Sequence, residues 1–390
     1  SQDTVGFTFD NPYRKYVNIP VKIAHNLIIV PVRINDSPPL NFLLDTGVKT
    51  TILSEPLLLN FIQPDSTESV VVLGLGEDGF IIAERLSNIK LQMNGITGRN
   101  MNMIVLPEGV IELSKYLGFS VYGIIGYDFF KEFPVRINYS NSTIRIYKES
   151  NYRTPWFRTT KIPLEINESK PYVKSVIKSW DDKIDTLDLL VDLGASSTLM
   201  LNEEYCDFSN KHIESHLGTG LSGRLLGKEG RIEEVSFQDI SFENPIVAYP
   251  EEDLLFPPEA NIKRWDGILG GGILSKFKVW IDYSENLLML RKSLWFNDEM
   301  HSNMSGLEII AEGMAFNKFK IDYVRPGSPA DEANIKQGDY IISINEMPTI
   351  KLSMDEVISK LSSSPGDRVL LKLQRDNEII VKRITLREDI

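Results

Sequence analysis

The chain has 390 residues, 42% hydrophobic and 25% charged, and carries a formal net charge of −12. This is ordinary globular usage with enough chain for two or three domains, and the acidic balance argues against a nucleic-acid partner, which would want a basic face. One cysteine, Cys206, excludes an internal disulfide and a cysteine-based metal site, and four scattered histidines offer no ligand spacing, so no metal or other cofactor is expected.

In chain order, Ser1-Gln2-Asp3 has neither the charged nor the apolar region of a signal peptide, although a chain lacking its leader would read the same. No later run approaches the ~18 to 20 apolar residues of a membrane span. Residues 27–34 (LIIVPVRI), 69–76 (SVVVLGLG), 133–139 (FPVRINY) and 142–148 (STIRIYK) alternate or run apolar between Gly, Pro, Asn and Asp, and are predicted strands. Glu149 to Arg158, with Pro155 and little periodicity, reads as a connection, and a second break falls at Ser293 to Asn303. Three units are expected: 1–150, 151–299 and 300–390.

The first two units are copies of one another. Residues 41–54 read NFLLDTGVKTTILS and 188–201 read DLLVDLGASSTLML, so Asp45 and Asp192 each follow an apolar run and precede a glycine two residues on. Ile19–Ile23 is answered by Ile162–Ile166, and 122–148 is answered without a gap by 266–292, with nine of 27 positions identical, among them Gly126/Gly270 and Tyr139/Tyr283. Chance would give about two. The period of roughly 145 residues suits a domain-sized lobe rather than a solenoid repeat.

A carboxylate acting as a general base needs a rigid backbone behind it and room in front. A buried strand followed by Asp-Xaa-Gly supplies both, the glycine allowing a tight turn. If the two loops meet on a pseudo-twofold axis, their carboxylates cannot both ionise and share one proton. Such a pair can hydrolyse an amide: one carboxylate takes a proton from a water as it attacks, and the other protonates the carbonyl oxygen. No cofactor is required.

At this point the sequence resembles the aspartic proteases of the pepsin and retropepsin fold, over about residues 19–292. The resemblance rests on two Asp-Xaa-Gly motifs, each trailed by an apolar-apolar-Gly segment, Ile124-Ile125-Gly126 and Ile268-Leu269-Gly270. It implies a mainly β, two-lobed, single-chain peptidase with Asp45 and Asp192 as the dyad and peptide or protein substrates. Thr46, Gly47, Leu193 and Gly194 would belong to the active-site loops, and Gly126 and Gly270 would support them from behind. Leu193 departs from the family, which places a Thr or Ser there whose hydroxyl bonds the opposite loop, so a one-sided lock through Thr46 is expected. Lys49 could favour the charged dyad or face solvent. Gly74, Leu75 and Gly76 in one lobe, and Gly218, Thr219 and Gly220 in the other, stand where the resemblance puts substrate-covering flaps, with an ordinary exposed hairpin as the alternative. Leu193 also supports a second reading, an inactive descendant that binds peptides in the same cleft, and a β-rich scaffold without a cleft would leave the paired aspartates unexplained.

The tail resembles a PDZ domain of the bacterial protease-associated kind. Residues 323–348 (YVRPGSPADEANIKQGDYIISINEMP) follow that family's order of strand, Pro-Gly-Ser-Pro-Ala, short helix, Gly-Asp and strand, and 365–386 read as closing strands. Such domains add a peptide strand to a sheet edge and hold its terminal carboxylate on loop amides. Gly306, Leu307, Glu308 and Ile309 occupy that loop here, with Glu308 replacing a glycine, so binding of a C-terminus is in doubt. The alternative is a domain that only packs on the lobes. The combination resembles secreted or envelope-anchored bacterial proteins, which sets the expected location.

Overall fold

The computed structural model describes residues 5–62, 64, 66–73, 80–206, 210–220, 223–251 and 266–390. The strand Leu27–Ile34 is buried through its first four residues and alternates thereafter, as a strand at the centre of a lobe should. It lies in a nine-stranded sheet ordered Gly6–Phe9, Ile96–Val105, Thr51–Leu53, Gly123–Ile125, Leu40–Leu44, Leu27–Ile34, Phe80–Met93 and Thr67–Leu73, with Lys22–Ala24 added at Leu27–Ile34. A second sheet repeats the scheme with Leu199–Leu201, Gly267–Leu269, Ile184–Val191 and Lys170–Lys178 at its centre. The copies differ at their long hairpins. Phe80–Met93 pairs with Ile96–Val105 in one lobe, whereas the other breaks the same path into Gly223–Arg231, Glu234–Phe237, Ile240–Glu243 and Ile246–Pro250.

In each lobe a three-residue strand is threaded between the strand before the aspartate and the one after it. Gly123–Ile125 is parallel to Leu40–Leu44 and antiparallel to Thr51–Leu53. Gly267–Leu269 stands in the same relation to Ile184–Val191 and Leu199–Leu201. A third sheet of six strands joins the lobes, with Val135–Asn138 antiparallel to Phe277–Asp282 in the register Val135↔Ile281 and Ile137↔Val279. The repeat matches Val135 with Val279 and Ile137 with Ile281, so each residue faces the counterpart of its neighbour, which is a local twofold axis. One apolar core runs across both lobes through this sheet, with Ile137, Ile144, Val279 and Leu288 fully buried.

The C-terminal unit has its own sheet, ordered Leu307–Glu312, Lys318–Val324, Tyr340–Ile344, Arg368–Arg375 and Glu378–Thr385, and its own core, including Phe319, Ile321, Val357 and Leu371. Its main helix, Met354–Leu361, begins with a complete capping box between Ser353 and Glu356. The connection Ser293–Asn303 is packed down rather than loose: the Phe296 ring lies 5.1 Å from Phe242 and 5.4 Å from Phe277. Lys276 Nζ donates to Asp298 O at 2.5 Å, and Arg231 pairs with Glu388 at 2.7 Å, tying the second lobe to the tail. Among the described residues, no helix is long and apolar enough to cross a membrane.

Candidate active site

Asp45 and Asp192 leave their strands at the twofold axis with matching backbone bonds, Asp45 N donating to Ile125 O at 2.9 Å and Asp192 N to Leu269 O at 3.0 Å. Each carboxylate accepts from the amide two residues on: Gly47 N reaches Asp45 Oδ1 at 2.6 Å and Gly194 N reaches Asp192 Oδ1 at 2.7 Å. The two carboxylates converge. A Cβ placed on Gly47 would lie 3.1 Å from Asp45 Oδ1 and 3.3 and 3.4 Å from the two Asp192 oxygens, and one placed on Gly194 would overlap the Asp45 carboxyl at 2.3 Å. Glycine is therefore needed at Gly194, and at Gly47 a side chain would crowd both carboxyls.

Burial raises both carboxyls above the ordinary carboxylate range. Asp45 is raised further by the charge of Asp192 and by donating a hydrogen bond to it, while Asp192, as the acceptor, is drawn back down. The two carboxyls are thus coupled, the charge of one opposing ionisation of the other. The Thr46 hydroxyl spans the axis, donating to Val191 O at 2.6 Å and accepting from Leu193 N at 3.0 Å. Leu193 is fully buried and has no hydroxyl to return. Behind the loops, the backbone at Gly126 passes so near that a Cβ would sit 2.0 Å from Val48 O, and at Gly270 2.3 Å from Ser197 O. Tyr127 N and Gly271 N then bond Val48 O and Ala195 O at 2.8 and 2.7 Å, suspending each loop.

Residues 30–129 match the family model described as aspartyl protease, and residues 320–375 match that of the PDZ domain. The chain carries an aspartyl protease domain followed by a PDZ domain. Among solved structures, an aspartic proteinase from Irpex lacteus is similar at 12% identity and a TM-score of 0.42, covering 73% of this chain and 99% of that one. Among curated proteins, tight junction protein ZO-3 of Canis lupus familiaris is 37% identical over 65 residues, 16% of this chain, and the chain spans only 7% of that protein's length.

In the protease domain, Gly74, Leu75 and Gly76 lie outside the described residues. Their flanking strands Thr67–Leu73 and Phe80–Met93 form an antiparallel hairpin. Gly218, Thr219 and Gly220 end the opposing hairpin strand Ile213–Gly220, where a bulge between His216 and Gly218 bends it and Gly218 has φ +129°. Lys49 is exposed, and its carbonyl accepts from Asp128 N at 3.2 Å. The cation that acts on both carboxyls is Lys170, which favours their charged forms from the hairpin Glu165–Asn167/Lys170–Lys178. Its repeat counterpart is Leu27, so a lysine breaking the twofold pattern is the one sequence signal that marks it. Tyr283, behind the dyad, is buried against Tyr127 at 5.4 Å and Phe130 at 6.0 Å, and its hydroxyl is pushed upward by burial and by both aspartates.

In the PDZ domain, two amides of the loop expected to receive a carboxylate are satisfied locally. Gly306 N donates to Asn303 Oδ1 at 3.0 Å, Leu307 N to Ser305 Oγ at 3.2 Å, and Asn303 Nδ2 reaches Glu308 Oε1 at 2.9 Å. Gly306 has φ +76° and a Cβ there would meet Ser328 at 2.1 Å, so its glycine is structural. Ile309 turns into the domain core. Asn303 and Ser305, which do the capping, have no signature in the sequence.

Proposed function

We propose that the chain is an aspartic-type endopeptidase in which Asp45 and Asp192 act as one unit. The observation that carries this reading is the convergence of a buried and a half-buried carboxylate on one point, Asp45 Oδ1 and both Asp192 oxygens lying within 3.4 Å of the Cβ position at Gly47. Asp45, the proton holder, donates to the substrate carbonyl oxygen. Asp192, ionised and held by Gly194 N, removes a proton from the water that attacks the carbonyl carbon. The product of this step is a neutral tetrahedral diol, and its collapse returns a proton to the departing amine. An extended peptide chain lying between the two long hairpins is the substrate class.

The inactive peptide-binding reading draws on Leu193, since a lock made from one side holds the dyad less firmly. Incubation with a diverse peptide library from pH 3 to 8 separates the two. The parent should cleave, and Asp45→Asn and Asp192→Asn should each remove cleavage while circular dichroism stays unchanged, because the pair shares one proton. Most of the activity surviving in either variant would sink the shared site; no cleavage by the parent would favour the binder.

A further inference from the structure

The strand Leu307–Glu312 ends its sheet, so one of its edges has no strand neighbour among the described residues. The helix Met354–Leu361 shares the domain core with it through Val357 and Ile309, and the groove between such a strand and helix is where a domain of this kind takes a peptide by strand addition. In this chain that groove faces the first lobe. The short helix Leu113–Leu117 runs alongside Leu307–Glu312, their Cα atoms within 8 Å. Its C-terminal glycine, Gly118 at φ +72°, lies against the other wall: a Cβ there would stand 2.6 Å from Met354 Cβ, at the first turn of the groove helix.

The rim is complementary in charge. His25 Nε2 lies 3.6 Å from Asp355 Oδ1, Lys22 stands 3.1 Å over the Phe119 ring within the field of Asp355, and Lys115 acts on Glu312. His25 thus contacts Asp355, while Lys22 and Lys115 act on the PDZ carboxylates through their charge, Lys115 being paired directly with Glu112 of its own lobe. At the far end the His216 ring of the second lobe stacks on Tyr116 at 6.3 Å and lies tilted to Tyr323 at 6.2 Å. Two amides of the loop that would hold a ligand's terminal carboxylate, Gly306 N and Leu307 N, already bond Asn303 and Ser305. A neighbouring segment on the groove and partners for two of the loop amides are thus supplied from within the chain.

We propose that the PDZ groove is loaded in cis by the chain's own segment Leu113–Phe119, an internal ligand with no free carboxylate, and that a peptide in trans is excluded until this segment leaves. The occupant is also wired to the cleft. Leu113, Leu117 and Phe119 pack in the same apolar cluster as Val48, three residues beyond Asp45, and as Val70 and Val72 of the first-lobe hairpin. Release from the groove would therefore loosen one wall of the cleft. The cis contact stands on the packing alone, independent of whether the dyad cleaves peptides.

The test uses the full chain and a fluorescent peptide reproducing residues 109–121. The double variant Lys22→Glu, Lys115→Glu, which leaves the groove residues untouched, should expel the segment. Apparent affinity scales with the fraction of open groove, so the peptide should bind this variant at least about tenfold more tightly than the parent. Amide exchange over Leu307–Glu312 should speed up in the double variant and slow again when Glu312→Lys and Asp355→Lys are added, which separates expulsion from misfolding. Equal binding to parent and double variant, no binding to either, or exchange that is not restored by the compensating pair would each overturn the proposal.

Discussion

Thr46 shows how much a single side chain carries at the axis. Its hydroxyl satisfies two groups of the opposite loop, Val191 O and Leu193 N, and neither bond has a mirror image because Leu193 is apolar. Thr46→Val should therefore strip the whole cross-lobe lock, costing about 1–3 kcal/mol since two buried backbone groups lose their partner. Urea unfolding and peptide turnover on the same preparation check this, and a variant with parental stability and turnover would refute it. Leu193→Thr would supply the missing hydroxyl but give up apolar burial of about 1 kcal/mol or more, so the one-sided lock has a packing gain to offset it. The sequence exposed Asp45, Asp192, Thr46 and Leu193 because a duplicated motif can be aligned with itself. It hid Lys170, whose influence on the dyad depends on where a hairpin tip folds, and gave prominence to Lys49, close in sequence but turned to solvent.

At the scale of elements, the site depends on a three-residue strand passing behind each aspartate loop. Gly123–Ile125 and Gly267–Leu269 are too short and too buried to be stable alone, and are held because each is bonded on both edges. The residue after each strand must be glycine: Gly126 leaves 2.0 Å to Val48 O and 2.7 Å to Asp45 O for any Cβ. Gly126→Ala is expected to push Asp45 forward and cost about 3 kcal/mol or more, the upper end of overpacking in a site with no flexible neighbour. Melting temperature and turnover should fall together; a fully stable variant would mean the loop yields more easily than its bonds suggest. These strands were legible as identical Gly positions in the repeat. The helix Leu113–Leu117 was not, because five residues carry no periodic signal and its form is fixed by packing against a distant strand.

For the whole molecule, two symmetric lobes could be read from one internal repeat, whereas the docking of the PDZ domain could not, since its contacts join residues hundreds of positions apart and obey no pattern. Glu308 illustrates this. In sequence it is an anomaly in a carboxylate-binding loop; in the fold it is half-buried at the seam with the second lobe, within the field of Glu229 and Asp322, with Asn303 and Arg325 as its favourable neighbours. Burial, the largest cause, pushes its carboxyl from 4.5 up to about 7. Between these values the folded chain keeps a proton that the unfolded chain releases, so stability must fall as pH rises through this window and level off above it. The displacement corresponds to at most about 3 kcal/mol at neutral pH. Glu308→Gln keeps the oxygen that accepts from Asn303 and cannot ionise. It should match the parent near pH 4.5 and exceed it in urea resistance by a margin that grows toward pH 7. A margin that is constant across the range would show that Glu308 does not titrate at the seam, and a loss in the variant at all pH values would show that the carboxylate itself holds the domains together.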